Sequence, residues 1–567
     1  MPKVHPRLSV ALCTLLLTIA LIGLCTAEAV AQRTGIDTYA ITNARIVSVS
    51  GPIVERGTVV IRNGLIAAAG PNISPPPDAR VIDGTGLTVY PGLIDSYTNL
   101  ALPEPAPGPS PGGGGPGAFL LVQPQTRAVG GPNSTQPAGL QPEVMVEDTI
   151  RASGNEIEAA RNVGITTALT APRSGIWMGQ SALINLSGET PQQMIVRSPV
   201  AMHVSFTPLR GTYPGSLMGV FAQLRQMMLD AQRYRDSMQI YERNPRGIRR
   251  PETDRSLAAL VPVIEGRMPV VMLANSEREI TRALDLATEF KLKLIIAGGR
   301  EADRVADRLA KQNVPVLLSL NLPRRTTAAM PEADPEPMRT LRERVAAQQT
   351  AGKLAQAGVR FAFQSGSMAN MSDLMANANR TIENGLSATD AVRAFTIWPA
   401  EILGMANQLG SIEAGKIANL TVTRGDLFDR NSRVAHVFID GRPVDLRPAT
   451  TPPQATQDRP GGRGGVAGTW TVSINLGQGD RGATLTLQQE GDRVTGSIAG
   501  VLGSGEISNA SMSPANEVRF TVSLNIEGQT KEATFTGTLS ENEIRGTVTV
   551  VGAAPGSFTA TRAGRPN

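Results

Sequence analysis

Three apolar, β-rich runs recur at even spacing in the middle of the chain, and they constrain the fold more than any other feature. They are Met268-Pro269-Val270-Val271-Met272-Leu273, Leu292-Lys293-Leu294-Ile295-Ile296-Ala297 and Val314-Pro315-Val316-Leu317-Leu318-Ser319. About twenty residues with helical apolar spacing separate each from the next, as in Ile280-Thr281-Arg282-Ala283-Leu284-Asp285-Leu286-Ala287, and this pattern predicts parallel strands covered by helices. The pattern extends from about Glu143 to Ala400 and includes Gly164-Ile165-Thr166-Thr167-Ala168-Leu169. A (β/α)8 barrel fits that length without a second assumption.

The flanks read differently. From Tyr39 to Val89 short β-branched runs alternate with turns, and Arg62-Asn63-Gly64 between two apolar runs is a hairpin signal, so a small antiparallel sheet is expected. Sheet-like pairs return after Gly410 and end at Val444. Beyond a Pro/Gly-rich stretch, Gly468 to Arg562 is all strand signals, including residues 483–487, 491–496, 518–522, 533–537 and 556–560. This predicts a separate small β-barrel or sandwich. Between Pro103 and Gly117 twelve of fifteen residues are Pro or Gly, so a long mobile loop is expected over 103–142.

The N-terminus carries Lys3 and Arg7, an apolar run to about Leu24, and small residues ending Ala29-Val30-Ala31. This is the pattern of a cleaved secretory signal peptide, which predicts a periplasmic or extracellular protein with no membrane attachment after cleavage. The 54 basic and 49 acidic residues are interspersed, and no Lys/Arg block is long enough to follow a phosphate backbone, so nucleic acid is not an expected partner. The expected organisation is a signal peptide (1–31), the first part of a composite β-sandwich (32–90) and a barrel (91–405). The second part of the sandwich (406–446), a linker (447–466) and an all-β domain (467–567) follow.

Several motifs resemble the secreted imidazolonepropionase-like branch of the amidohydrolase superfamily. They are Val81-Ile82-Asp83-Gly84, Val89-Tyr90-Pro91-Gly92-Leu93-Ile94-Asp95, Gly298-Gly299-Arg300-Glu301-Ala302, Asn384-Gly385-Leu386-Ser387, Trp398-Pro399-Ala400-Glu401-Ile402-Leu403-Gly404 and the run from Leu409 to Leu420. The resemblance implies a barrel flanked by a composite β-sandwich built from both ends of residues 39–444. It also implies a hydrolase of amide and other C–N bonds, whose zinc or other divalent ion activates a water.

The ligand positions that the resemblance implies are occupied by other residues. The Asp-x-His-x-His motif reads Asp95-Ser96-Tyr97-Thr98-Asn99, which places Tyr97 and Asn99 where imidazoles are expected. Leu273 and Arg300 stand at the third and fourth histidine positions, and Gly366 stands at that of the final aspartate. The whole chain has three histidines, His5, His203 and His436, and two cysteines, Cys13 and Cys25; cleavage after Ala31 would leave two imidazoles and no thiol. That set cannot supply the several nitrogen ligands of a zinc site. A guanidinium at Arg300 would further oppose a cation in the pocket, so no metal cofactor is expected.

His203, in Ala201-Met202-His203-Val204-Ser205, reads first as a packed imidazole and second as a pocket group; His436 reads as structural. Trp177 and Gln180, in a segment resembling a family pocket loop, are candidate ligand contacts. No Gly-x-Ser-x-Gly elbow supports a serine hydrolase.

Three functions remain open at this stage. The first is a catalytically degenerate amidohydrolase that binds a small amide, peptide or carboxylate ligand, forms a homo-oligomer or pairs with an active homologue. The second is an active hydrolase with an oxygen-only Mg²⁺ or Ca²⁺ site, for which Asp95 and Glu301, with Asp373, are the candidate carboxylates. The third is a binding or scaffold protein acting through its C-terminal β-domain.

Overall fold

The computed structural model describes residues 38–103, 136–209, 213–323, 337–366, 368, 370–446, 468–475, 480–490, 493–500, 503–512, 517–526, 529–540, 543–550 and 556–562. The expected signal segment 1–31, the linker 447–466 and most of the Pro/Gly-rich loop lie outside these residues. The chain divides into two units, 1–450 and 451–567.

The first unit opens with β1 (Thr38–Ile46), β2 (Val54–Arg62), β3 (Leu65–Gly70), β4 (Ala79–Asp83) and β5 (Leu87–Pro91). The turn between β2 and β3 is Asn63-Gly64, both with positive φ (52° and 79°), as the hairpin signal predicts. The rest of this region departs from the expected antiparallel sheet, because β1 pairs in parallel with both β4 and β5. β5 in turn pairs antiparallel with a strand from the far end of the unit, Leu420–Arg424. Residues 38–91 and 420–444 thus form one eight-stranded sheet, whose buried side chains include Ile41, Val59, Val89, Leu420 and Phe438.

The barrel strands are β6 (Leu93–Thr98), β7 (Ile165–Thr170), β8 (Trp177–Gln180), β9 (Ala182–Asn185), β10 (Ile195–Arg197), β11 (Met202–Ser205), β12 (Val270–Ala274), β13 (Leu294–Gly298), β14 (Val316–Ser319) and β15 (Phe361–Gln364). The last three strands of the sheet are then β16 (Leu420–Arg424), β17 (Arg433–Ile439) and β18 (Arg442–Val444). The three evenly spaced runs are β12, β13 and β14, and they pair in parallel.

β8 and β9 are two halves of one bent strand. β9 pairs antiparallel with β7 and β8 pairs antiparallel with β11. Thr98 bridges Gly366 in parallel, which connects β6 to the end of β15. The ring therefore runs β6, β7, β8/β9, β10/β11, β12, β13, β14, β15 and back to β6, and its third stave runs against the others. This corrects the expectation of eight parallel strands. Only residues 171–181 separate Thr170 from its partner Ala182, short of the dozen or more that a parallel crossover requires.

Side chains alternate across the barrel wall. Val271, Ile295, Leu317 and Ala362 face inward with Ile94, Tyr97 and Leu183, and Val270, Ile296, Val316 and Phe361 face the helices. The helix Glu277–Phe290 shows how local sequence sets one covering element. Ser276 and Glu279 make a reciprocal capping box at its start, and Ile280, Ala283, Leu284, Ala287 and Phe290 form its buried stripe.

Residues 136–142 depart from the loop expectation. Leu140 and Gln141 are buried, and Leu140 bridges Trp177 in β8. Leu140 has apolar surface to bury against that strand, which the Pro/Gly composition around it concealed.

The second unit is a closed antiparallel barrel of β19 (Gly468–Asn475), β20 (Asp480–Glu490), β21 (Arg493–Gly500), β22 (Gly503–Met512), β23 (Glu517–Ile526), β24 (Gln529–Ser540), β25 (Glu543–Val550) and β26 (Gly556–Arg562). Each strand pairs with the next and β19 closes on β26. Trp470, Val472 and Ile474 face the same core at alternate positions, as period-two patterning requires. Phe520 stacks on Phe535 with centroids 4.9 Å apart, and Phe558 meets Phe535 edge-on at 5.1 Å.

Candidate functional site

In a barrel of this kind ligands are met where the strands end in loops, and here that face is joined by a polar seam between β6 and β15. Asp95 is fully buried in it. Its carboxylate accepts hydrogen bonds from the Ser365 N–H at 3.0 Å, from the Tyr97 N–H at 3.4 Å and from the Ser365 hydroxyl. Ser96 donates its hydroxyl to the Phe363 carbonyl at 2.7 Å, and the Gly366 N–H donates to the Tyr97 carbonyl at 3.0 Å. Burial pushes the Asp95 carboxyl up to about 6, against the opposing effect of its three hydrogen bonds. The seam therefore has a clear structural use for Asp95, which holds two strand ends together.

Tyr97 and His203 meet inside the barrel, their ring centroids 5.5 Å apart and their planes tilted by 44°. Burial raises the Tyr97 hydroxyl well above its ordinary value and pushes His203 down to about 3. Both His203 ring nitrogens are buried with no hydrogen-bond partner, so the imidazole is neutral near pH 7. Gln364, at the end of β15, donates to the Leu317 carbonyl at 3.1 Å, while its own carbonyl oxygen is buried without a partner.

The remaining sequence candidates are dispersed. Asn99 spends its side-chain N–H on the Ala171 carbonyl at 2.8 Å. Leu273 packs at the end of β12 among the inward-facing residues. Arg300 is exposed, beside Ser319, Asn321 and Thr350, and the Thr350 hydroxyl donates to its carbonyl at 3.2 Å. Glu301 accepts the Glu277 N–H at 2.8 Å, at the start of a helix, and pairs with Arg304 at 3.1 Å. Asp373 begins the helix Asp373–Glu383. Gln180 donates to the Pro142 carbonyl at 3.1 Å, and Trp177 is buried with its indole N–H unpartnered. Both serve as packing for residues 139–145. His436 is half-buried in β17, opposite Val422.

The structure thus brings Asp95, Tyr97, His203 and Gly366 to one end of the barrel but does not group Asp95 with Glu301. The sequence reading missed Ser365 as the partner of Asp95. The available signal was that the resemblance assigns both Asp95 and the segment 364–367 to one ligand set.

The divalent ion that this resemblance implies does not fit the described residues. Among them no three His, Cys, Asp or Glu side chains form a group able to hold a metal. Gly366 has φ +60°, and a Cβ there would lie 3.0 Å from the Gln364 carbonyl oxygen, so an aspartate would strain this backbone. No catalytic step through a metal follows from this geometry. Among the described residues no helix is long and apolar enough to cross a membrane.

Comparison with known proteins bears on the family. Residues 209–444 match the model of the amidohydrolase family. The chain is 27% identical over 398 residues to an imidazolonepropionase of Porphyromonas gingivalis, covering 67% of this chain and 84% of that one. It is 40% identical over 63 residues to dihydropyrimidinase 1 of Caenorhabditis elegans, a match that spans only 12% of that protein. Among solved structures it is similar to an amidohydrolase from Thermotoga maritima MSB8, with a TM-score of 0.61 and 25% identity, covering 72% of this chain and all of that one. The matched segment and the likeness in fold make residues of the first unit similar to amidohydrolases.

Proposed function

We propose that this protein is an exported amidohydrolase-fold protein that no longer works as a metal-dependent hydrolase and acts instead by binding a ligand or a partner. One observation carries the reading. The positions that the resemblance assigns to metal ligands hold a phenol, an amide, an aliphatic chain, a guanidinium and a glycine (Tyr97, Asn99, Leu273, Arg300 and Gly366). None of these is a good donor to a divalent ion at neutral pH. Asp95, the carboxylate left in the motif, is engaged by Ser365 and Tyr97, and Glu301 is engaged at a helix start. That occupancy weighs against an oxygen-only metal site as well. A small amide, peptide or carboxylate is the ligand class in keeping with the exposed guanidinium of Arg300.

The test is elemental analysis of the protein purified without chelator or affinity metal, together with turnover assays on dipeptides and acylated amino acids. The expected result is less than about a tenth of a metal ion per chain and no turnover. Zinc, manganese or iron near one per chain, with hydrolysis, would overturn the proposal.

A further inference from the structure

The helices Leu217–Arg243 and Arg255–Ile264 pack on each other as a hairpin, and the segment 243–250 is at its tip. The last fully buried side chain of the first helix is Ala231, so the tip stands twelve residues, about 18 Å, beyond it. Every residue from Glu242 to Arg250 is exposed. In Arg243-Asn244-Pro245-Arg246-Gly247-Ile248-Arg249-Arg250 half of the residues are arginines and none is acidic. Local bonds hold the backbone that presents them. The Asn244 side-chain carbonyl accepts the Arg246 N–H at 3.3 Å, the Ile248 N–H donates to the Pro245 carbonyl at 3.4 Å, and Gly247 takes φ +75°.

The acids nearby do little to offset this charge. Glu252 lies 3.7 Å from Arg249 with both side chains at least 90% exposed, a pair of little strength. Asp254 spends its carboxylate as the N-cap of the second helix, accepting the Leu257 N–H at 3.0 Å. Among the described residues the side chains of Arg243, Arg246 and Arg250 have no hydrogen-bond or ion-pair partner. With Glu242 and Arg255 counted, residues 242–255 still hold five arginines against three carboxylates. A projecting tip of unpaired guanidinium groups is complementary to an anionic surface, and guanidinium matches phosphate oxygens with two parallel N–H bonds. The aliphatic neighbours decide which surface. Ile248, 41% exposed, sits between Arg246 and Arg249, and Ile240, 58% exposed, lies one turn before Arg243. A soluble polyanion offers them nothing, whereas a bilayer takes guanidinium groups at its phosphates and aliphatic side chains just beneath. We propose that the tip 243–250 docks this protein on an anionic phospholipid membrane, with Arg243, Arg246 and Arg250 at lipid phosphates and Ile248 in the headgroup boundary. The contact is peripheral and needs no spanning helix, and it runs against the sequence expectation of no membrane attachment. It stands independently of what the barrel end binds.

The experiment is sedimentation of the processed protein, beginning at Gln32, with vesicles of phosphatidylcholine alone or mixed with phosphatidylglycerol, at about 0.1 M and about 1 M salt. Starting at Gln32 removes the N-terminal apolar run, which would bind lipid by itself. Binding should require phosphatidylglycerol and disappear at the higher salt. Arg243→Gln, Arg246→Gln and Arg250→Gln together should weaken it about a hundredfold, at about fivefold for each charge near the surface. Circular dichroism and melting temperature should not change, because all three side chains are exposed. The same loss of charge at other exposed positions, Arg278→Gln, Arg424→Gln and Arg433→Gln, should weaken binding less than about fivefold. Ile248→Ser should weaken vesicle binding severalfold and leave binding to soluble inorganic polyphosphate unchanged. No binding to the mixed vesicles, equal losses in the two triple variants, or vesicle binding indifferent to Ile248→Ser would each overturn the proposal.

Discussion

The chain contains two barrels that close in different ways. The C-terminal barrel closes through a continuous antiparallel ladder, in which Trp470 to Asn475 pair residue for residue with Arg562 to Ser557. Its hydrogen-bonded neighbours are all consecutive strands apart from that one closure, and its interior is filled by aromatic and aliphatic side chains. The barrel of the first unit closes through one bridge, Thr98 to Gly366, backed by hydrogen bonds from Ser365 and the Gly366 N–H across to β6. Apolar packing dominates the first closure, and a buried carboxylate with its donors dominates the second. A closure built on packing should be sensitive to lost volume, and one built on a buried acid should be sensitive to pH.

The largest expected effect is in the C-terminal barrel. Trp470 is fully buried, with the Arg562 guanidinium 4.6 Å from its ring. Trp470→Ala should lower the stability of this unit by about 3–5 kcal/mol, measured by urea unfolding of the full chain. A loss below about 1 kcal/mol would show that aromatic packing does not hold this closure.

The next effect is at the seam. The Asp95 carboxyl is raised in the folded state to about 6 from an ordinary 3.8. The sign follows from linkage: the protonated acid is favoured by folding, so its contribution is fully present below about pH 4 and is lost as pH rises to about 6. The loss is about 2–3 kcal/mol. Asp95→Asn, which keeps an acceptor without a charge, should remove that decline. Unfolding free energies of the two chains measured from pH 4 to 7.5 should diverge over this window in favour of the variant. Parallel curves would mean that Asp95 titrates as an ordinary carboxylate and that the seam is not its environment.

The smallest effect concerns His203, whose ring nitrogens are buried without partners. Replacing a buried unsatisfied group by an apolar side chain of similar size is close to neutral, so His203→Leu should change stability by less than about 1 kcal/mol and can raise it. A loss well above that, in the same denaturation assay, would reveal a hydrogen bond to His203 and hence a polar neighbour inside the barrel.

Much of the fold was legible because its causes are local. The strands β12, β13 and β14 fall on the three spaced runs, and Ser276 with Glu279 announces the helix between the first two. The Asn63-Gly64 turn and the alternating residues of the C-terminal barrel are equally local signals. The direction of β8/β9 was not legible, since apolar composition does not distinguish a parallel from an antiparallel stave. The parallel pairing of β1 with β4 and β5 was hidden for the same reason. At the site, the identities of Tyr97, Asn99, Leu273, Arg300 and Gly366 were readable from motifs, but their surroundings were not. Trp177 and Gln180 were read as ligand contacts, yet they pack against residues 139–145, whose composition had suggested a loop.

Residue types and their spacing, which act over a few turns of chain, settle where the strands and helices form and which donors are missing from the ligand motif. Only the folded chain decides that Asp95 meets Ser365, 270 residues away, and that Tyr97 lies beside His203. It also decides that Glu301 caps a helix instead of facing the barrel end. The physical reason is that burial and hydrogen-bond partners, which set the charge and availability of each group, come from segments far apart in sequence and exist only once the barrel has closed.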